Sequence, residues 1–282
     1  MNRLSDTFTR LRNDHRTGIA MYLTVGWPEA DATESAAQAA LDAGADIIEL
    51  GVPFSDPLAD GATIQRSSAH ALQAGVHLDT CLETARSIRA KNPSVPILFM
   101  GYYNPFLRFG LERFAKEAVT AGIDGVIVPD LPPEESEPLD DAISPFGLDL
   151  IYLLAPTSPP ERVERVVAKA RGFIYCVSLT GVTGARAGLS EAATGLLKRV
   201  RERASVPLAL GFGISSPHHV VAVKSLTDAV IVGSAFVDLL EQNEPSDRQS
   251  AIREYVGALV EAAKLDRLVS PDPRPPEPTE AD

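Results

Sequence analysis

IIELGVPFSDPLADGATI, residues 47–64, sets one carboxylate inside an apolar strand and a second in the loop just beyond it. Successive strand side chains point to opposite faces, so Ile47 and Glu49 share one face of residues 45–52 while Ile48 and Leu50 share the other. Glu49 is therefore hard to keep in water. A buried carboxylate without a cationic partner has its pKa raised, which suits a group that holds and hands over a proton near neutrality. Asp60 lies in a loop punctuated by Pro53, Pro57 and Gly61, where water and backbone donors are expected to keep it ionised. Two carboxylates whose surroundings push their pKa values apart can divide acid and base roles. The structural alternatives are a Glu49 hydrogen-bonded to neighbouring amides at a strand end and an Asp60 that caps the following helix.

The same unit of strand, loop and helix recurs on both sides of this stretch. Apolar strands are predicted at 19–25, 45–52, 96–101, 125–128, 148–154, 173–177, 207–210 and 229–232, each followed by a helical pattern, with no hairpin signal between them. Such alternation requires parallel strands joined by right-handed crossovers, and eight of them close into a barrel. The expected class is α/β, a (β/α)8 TIM barrel. Leu4, Phe8 and Leu11 follow a helical period, so a short N-terminal helix caps one end. Extra helices are expected in the loops after strands 2 and 8. An open doubly wound sheet, the other candidate, would carry GxGxxG after its first strand, where residues 25–31 read VGWPEAD. Residues 1–268 form one domain in this reading. The stretch 269–282, which ends PDPRPPEPTEAD, is a proline-rich acidic tail expected to be disordered.

A net charge of −12 over 282 residues repels nucleic acid and anionic membranes, so any bound phosphate must be held locally. No window is long and apolar enough to span a bilayer, and MNRLSDTFTRLRNDHR lacks a signal-peptide apolar run, which makes the cytoplasm the expected location. Cys81 and Cys176 have no CxxC spacing and are expected to be reduced core thiols.

In a closed barrel the loops after the strands converge on one ligand. Three of them are glycine-rich: Gly181, Thr183 and Gly184; Gly211, Phe212 and Gly213; and Gly233 with Ser234. Backbone N–H groups in such turns, helped by a helix start, can cradle a phosphate without lysine. Tyr22, Phe54, Met100, Tyr102, Leu131, Leu153, Tyr175, Phe212 and Val232 lie at or near strand ends and are expected to line an apolar pocket beside that cradle. Tyr175 and Cys176 point opposite ways, so only one of them faces it. The six lysines, Lys91, Lys116, Lys169, Lys198, Lys224 and Lys264, all fall in predicted helices or at their ends, which leaves no strand-end amine for a Schiff base. His15, His70, His77, His218 and His219 show no metal-site spacing. Carbon–carbon cleavage here would have to run on acid–base chemistry alone.

Six runs, IELGVPFSDPLADGATIQ (48–65), MGYYNP (100–105), GVIVPDLPPEE (125–135), VSLTGVTGAR (177–186), GFGIS (211–215) and IVGSAF (231–236), resemble in order the tryptophan synthase alpha chain family. The resemblance runs to about residue 265 and leaves out the tail. It implies a retro-aldol lyase that cleaves indole-3-glycerol phosphate to indole and glyceraldehyde 3-phosphate. The family's catalytic pair falls on Glu49 and Asp60, its phosphate site on Gly184, Gly213, Gly233 and Ser234, and its mobile loops on 53–60 and 179–189, with Thr183 meeting Asp60 on closure. The resemblance also implies an alpha2beta2 heterotetramer with a beta chain that alone holds pyridoxal phosphate, faced by Asp56, Pro57 and the turn at Tyr103 and Asn104. Competing readings are another phosphate-binding barrel enzyme, a barrel that has lost catalysis and only activates a partner, and a free-standing indole producer.

Overall fold

Every strand pairing is parallel in the computed structural model, which describes residues 2–178 and 191–264. In chain order the elements are α1 (Arg3–Asn13), β1 (Gly18–Thr24), α2 (Ala32–Asp42), β2 (Ile47–Gly51), α3 (Ala62–Gln73), α4 (Leu78–Lys91), β3 (Ile97–Met100), α5 (Tyr103–Phe109), α6 (Leu111–Thr120), β4 (Gly125–Ile127) and α7 (Glu137–Ile143). They continue with β5 (Asp149–Ile151), β6 (Leu153–Leu154), α8 (Pro160–Lys169), β7 (Ile174–Val177), α9 (Glu191–Arg201), β8 (Leu208–Gly211), α10 (Pro217–Val223), β9 (Ala229–Val232), α11 (Ser234–Gln242) and α12 (Pro245–Ala262). Their order in the sheet is β5-β4-β3-β2-β1-β9-β8-β7-β6.

The two ends of that order are consecutive in the chain, separated only by Tyr152, so the sheet closes on itself. The strand expected at 148–154 is one strand in two pieces. Its first half pairs with β4, its second half pairs with β7, and the Tyr152 carbonyl accepts from Tyr175 N at 3.0 Å. The Tyr152 side chain turns outward to a 2.9 Å hydrogen bond with Ser136 Oγ.

Two helices depart from expectation. MGYYNP, read as a turn, runs into α5, because Pro105 occupies the first turn, where a missing N–H costs nothing, and Asp130 Oδ1 accepts from Tyr103 N at 2.9 Å. The final helix, whose pattern predicts a start at Ser250, begins five residues earlier at Pro245, and buried Arg248 pairs with Glu29 at 2.7 Å and donates to the Leu240 carbonyl.

The N-terminal end of the barrel is plugged by α1. Leu4, Phe8 and Leu11 are buried, the Phe8 ring lies 5.9 Å from Phe173, and Leu11 Cδ1 fills the space a side chain at residue 18 would need. The same end carries a ring of aspartates just before or at the start of strands, at positions 46, 124, 149 and 228. Asp46 accepts from Ile19 N of the preceding strand and from Arg10 and Arg16; Asp124 does the same for Ile97 N with Arg3 and Arg89, and Asp228 for Leu208 N with Arg201. Each carboxylate thus satisfies a backbone donor that the barrel's start would leave bare, and its charge is met by guanidinium. Asp149 pairs with Arg171 at 3.5 Å.

Removing one member of a buried ion cluster leaves the others uncompensated. Asp46→Ala should lower stability by roughly 3 kcal/mol in urea titrations while leaving the turnover of the folded protein unchanged, because the lesion lies at the end of the barrel opposite the glycine turns.

Candidate active site

Glu49 sits on β2, paired in register with Tyr22 of β1 and Leu98 of β3, all on the inner face. It is 1 % exposed, and neither carboxyl oxygen has a hydrogen-bond partner among the described residues. The structural reading, a glutamate satisfied by neighbouring amides, therefore fails. Burial, followed by the charge of Asp60, pushes its pKa up to about 8.

Asp60 closes the loop that leaves β2. Its backbone is fixed by its own N–H to the Pro57 carbonyl at 3.0 Å and by Gln65 Nε2 donating to its carbonyl at 2.9 Å. It does not cap α3, whose N-cap is Gly61. The expected ionisation in water is corrected in degree. Burial pushes the Asp60 carboxyl up to about 6, opposed by a hydrogen bond from Tyr102, because the loop folds inward over the barrel mouth. The order of the pair survives: Asp60 ionises before Glu49.

Three tyrosines surround the two acids. Tyr22 and Tyr175 are buried, and both feel the charges of Glu49 and Asp60, which raise their pKa values further above the ordinary tyrosine value. Tyr102 donates to Asp60, its oxygen accepts from Ala59 N at 2.8 Å, and Phe54 stacks on its ring at 5.2 Å. Glycine makes room for the other two rings: a Cβ at Gly51 would stand 2.1 Å from the Tyr22 hydroxyl oxygen, and one at Gly211 would stand 2.1 Å from that of Tyr175. Of the pair Tyr175 and Cys176, Tyr175 faces the acids, and both Cys81 and Cys176 are buried free thiols.

The remaining predicted positions divide four ways. Met100 shares the inner face with Leu98, and Phe212 packs edge-on to Tyr175 at 6.0 Å. Gly213 has φ +90°, and Gly233 is the N-cap of α11, within 3.8 Å of Tyr22 for an added Cβ, so Ser234 opens a helix beside the acids. Val232 is a correction. It pairs with Met21, next to Tyr22 but on the opposite face, and so points into the helical shell. Ile231, paired with Ala20, is the β9 residue on the inner face, and Ile127, paired with Met100, is another. The sequence reading missed both, although strand alternation counted back from the turns could have found them. Thr183 and Gly184 lie outside the described residues, as does the whole loop 179–189. Asp56, Asn104, Leu58 (92 % exposed) and Leu107 (51 %) are exposed on the rim, Pro57 and Tyr103 partly so.

A parallel eight-fold barrel with two acids of separated pKa beside glycine turns defines an acid–base enzyme of the phosphate-binding barrel class. Residues 8–265 match the tryptophan synthase alpha chain family. The chain is 50 % identical to the tryptophan synthase alpha chain of Chloroflexus aggregans over 94 % of its length and 99 % of that protein, and 51 % identical to that of Roseiflexus castenholzii over 92 % and 99 %. It superposes on the subunit alpha structure from Legionella pneumophila with a TM-score of 0.85 at 33 % identity (93 % and 98 % covered). A Mycobacterium tuberculosis tryptophan synthase chain gives 0.86 at 37 % (94 % and 99 %). The chain belongs to the tryptophan synthase alpha chain family.

A glutamate whose folded pKa exceeds its unfolded value destabilises the fold progressively as pH rises between the two, since the native state then binds more protons than the unfolded one. Glu49→Gln should therefore gain stability over the wild-type protein between pH 5 and pH 8, by on the order of 3 kcal/mol for a pKa raised from 4.5 to about 8. Gly51→Ala should displace Tyr22 and cost about 1–3 kcal/mol in the same titrations.

Proposed function

We propose that Glu49 and Asp60 carry out the alpha reaction of tryptophan biosynthesis, the retro-aldol cleavage of indole-3-glycerol phosphate to indole and glyceraldehyde 3-phosphate. The observation that carries this reading is the fully buried carboxyl of Glu49, without a hydrogen-bond partner among the described residues and facing Asp60 across the barrel mouth. A barrel kept only to dock a partner has no use for so costly a group.

In its protonated form Glu49 delivers its proton to the ring carbon that bears the glycerol side chain. Asp60, ionised first, accepts the indole N–H and offsets the positive charge that develops on the ring. The Glu49 carboxylate then takes the proton of the adjacent side-chain hydroxyl, the O–H electrons form the aldehyde carbonyl, and the carbon–carbon bond electrons restore the indole ring. Glu49 gives one proton and regains one, so it leaves the cycle as it entered. Tyr22, Met100, Tyr102, Tyr175 and Phe212 hold the flat ring, with Ile231 replacing Val232 on the inner face. Gly213, Gly233 and Ser234 present N–H groups to the phosphate, and the family pattern adds Gly184 to them and Thr183 as the residue that meets Asp60 on closure.

The chain works with a beta chain in an alpha2beta2 complex, and pyridoxal phosphate belongs to that partner rather than to this chain. The exposed rim at Asp56, Pro57, Leu58, Tyr103 and Asn104 is the surface we assign to it. Residues 1–268 form the catalytic domain and 269–282 an appended tail, and the reaction is placed in the cytoplasm. Among the described residues no helix is long and apolar enough to cross a membrane.

Indole release tests this directly. Glu49→Gln should lower kcat by about 10²–10⁴-fold with KM little changed, and Asp60→Asn should lose most activity. For the wild-type protein kcat should follow a bell in pH, rising as Asp60 ionises near 6 and falling as Glu49 ionises near 8. Turnover in Glu49→Gln close to wild type would remove the assignment.

A further inference from the structure

Residues 211–216, GFGISS, connect β8 to α10 and contain Gly213 of the proposed phosphate cradle. Their backbone is strained. Phe212 adopts φ +67°, a left-handed conformation that a bulky aromatic residue takes only when its surroundings impose it. Three side chains outside the turn do so. Ser178 Oγ donates to the Phe212 carbonyl at the start of the turn. At its far side Tyr255 of α12 donates from its hydroxyl to the Ser215 carbonyl at 3.0 Å, and His219 of α10 accepts the Ser215 N–H on Nδ1 at 3.2 Å. The Ser215 hydroxyl lies 3.3 Å from the same nitrogen, and the Ser216 hydroxyl accepts from His219 N at 3.4 Å, so ring and turn are tied at both residues.

We infer that His219, with its Nδ1 unprotonated, is a positioning residue that holds the turn 211–216 in the shape in which Gly213 presents its N–H to the substrate phosphate. The inference rests on the phosphate assignment made above and deepens it. An imidazole nitrogen accepts the Ser215 N–H only without a proton of its own; once protonated it becomes a donor, and two N–H groups then face each other. The ring is kept neutral by burial and by the neighbouring His218, whose ring centroid lies 6.3 Å away; both hold its pKa below the ordinary histidine value. Among the described residues the titratable group that acts on it is His218 from α10, and the Tyr255 phenol from α12 shares Ser215 with it. Burial raises the phenol to about 12, so it stays a neutral donor throughout the working range. Protonation of His219 should therefore loosen the turn and weaken the grip on phosphate without touching Glu49 or Asp60.

The test measures binding of inorganic phosphate by calorimetry from pH 5 to pH 8, together with KM and kcat for indole release, in the full-length protein. His219→Leu removes the acceptor and should weaken phosphate binding and raise KM by about tenfold at neutral pH, the effect of one lost hydrogen bond, with kcat nearly unchanged. His219→Asn places an acceptor that cannot titrate near Nδ1; it should keep most of the affinity and bind more tightly than the wild-type protein at pH 5. Tyr255→Phe should weaken binding with the pH dependence preserved, which keeps the idea testable if His219→Leu folds poorly. Phosphate affinity and its pH dependence unchanged in His219→Leu, or a loss confined to kcat, would overturn the inference. A wild-type protein that releases indole yet shows that outcome refutes only the role of His219, whereas one that neither releases indole nor binds phosphate refutes the reading beneath it.

Discussion

A carboxyl group confined by aromatic rings and hydrocarbon, with no hydrogen-bond partner among the described residues, is the constraint from which the rest of this barrel's mouth follows. Glu49 is neutral at neutral pH because ionising it there is costly, and the neighbouring charge of Asp60 adds to the cost. Everything placed around it keeps that situation intact. Gly51 and Gly211 lack side chains, so the Tyr22 and Tyr175 rings can lie over them and close the pocket to water. Tyr102 spends its hydroxyl on Asp60 and Ala59 rather than on Glu49.

The opposite end of the barrel obeys the reverse rule. There Asp46, Asp124 and Asp228 each accept a backbone N–H from the preceding strand and meet arginine. At Asp46, Asp124 and Asp228 buried charge is paired and serves the fold, whereas at the other end the Glu49 carboxyl is left without a hydrogen-bond partner among the described residues. The division matches the general habit of closed parallel barrels, which keep stability at one face and catalysis at the other. Between the two lies a core of alanine, leucine, isoleucine, valine and phenylalanine that holds the strands in the register placing Tyr22 beside Glu49.

Much of this was legible in the chain because local pattern and global topology agree. Alternation within IIELG put Glu49 on an apolar face, and the recurrence of strand and helix forced parallel closure. The readings that needed adjustment fell where local sequence does not fix direction. Val232 stands at a strand end next to the Gly233 turn, but register with Met21 turns it outward, and a slip of one residue inverts a strand's facing. The ionisation of Asp60 depends on how far a loop folds over the mouth, which its prolines and glycine do not disclose. The turn at Tyr103 became a helix because Asp130, distant in sequence, supplied an acceptor. The bracing of Ser215 by His219 and Tyr255 spans 40 residues in the case of Tyr255, beyond the reach of any motif.

The central claim is best tested by titrating one carboxyl group. Carbon-13 NMR of protein labelled at the glutamate side-chain carboxyl, with the Glu49 signal identified by its loss in Glu49→Gln, reports the ionisation of that residue without substrate or partner. The account predicts a midpoint near 8, shifted down when Asp60 is replaced by asparagine. A midpoint at the ordinary value of 4.5 would mean that Glu49 is solvated or paired in solution, and would contradict the account at its root.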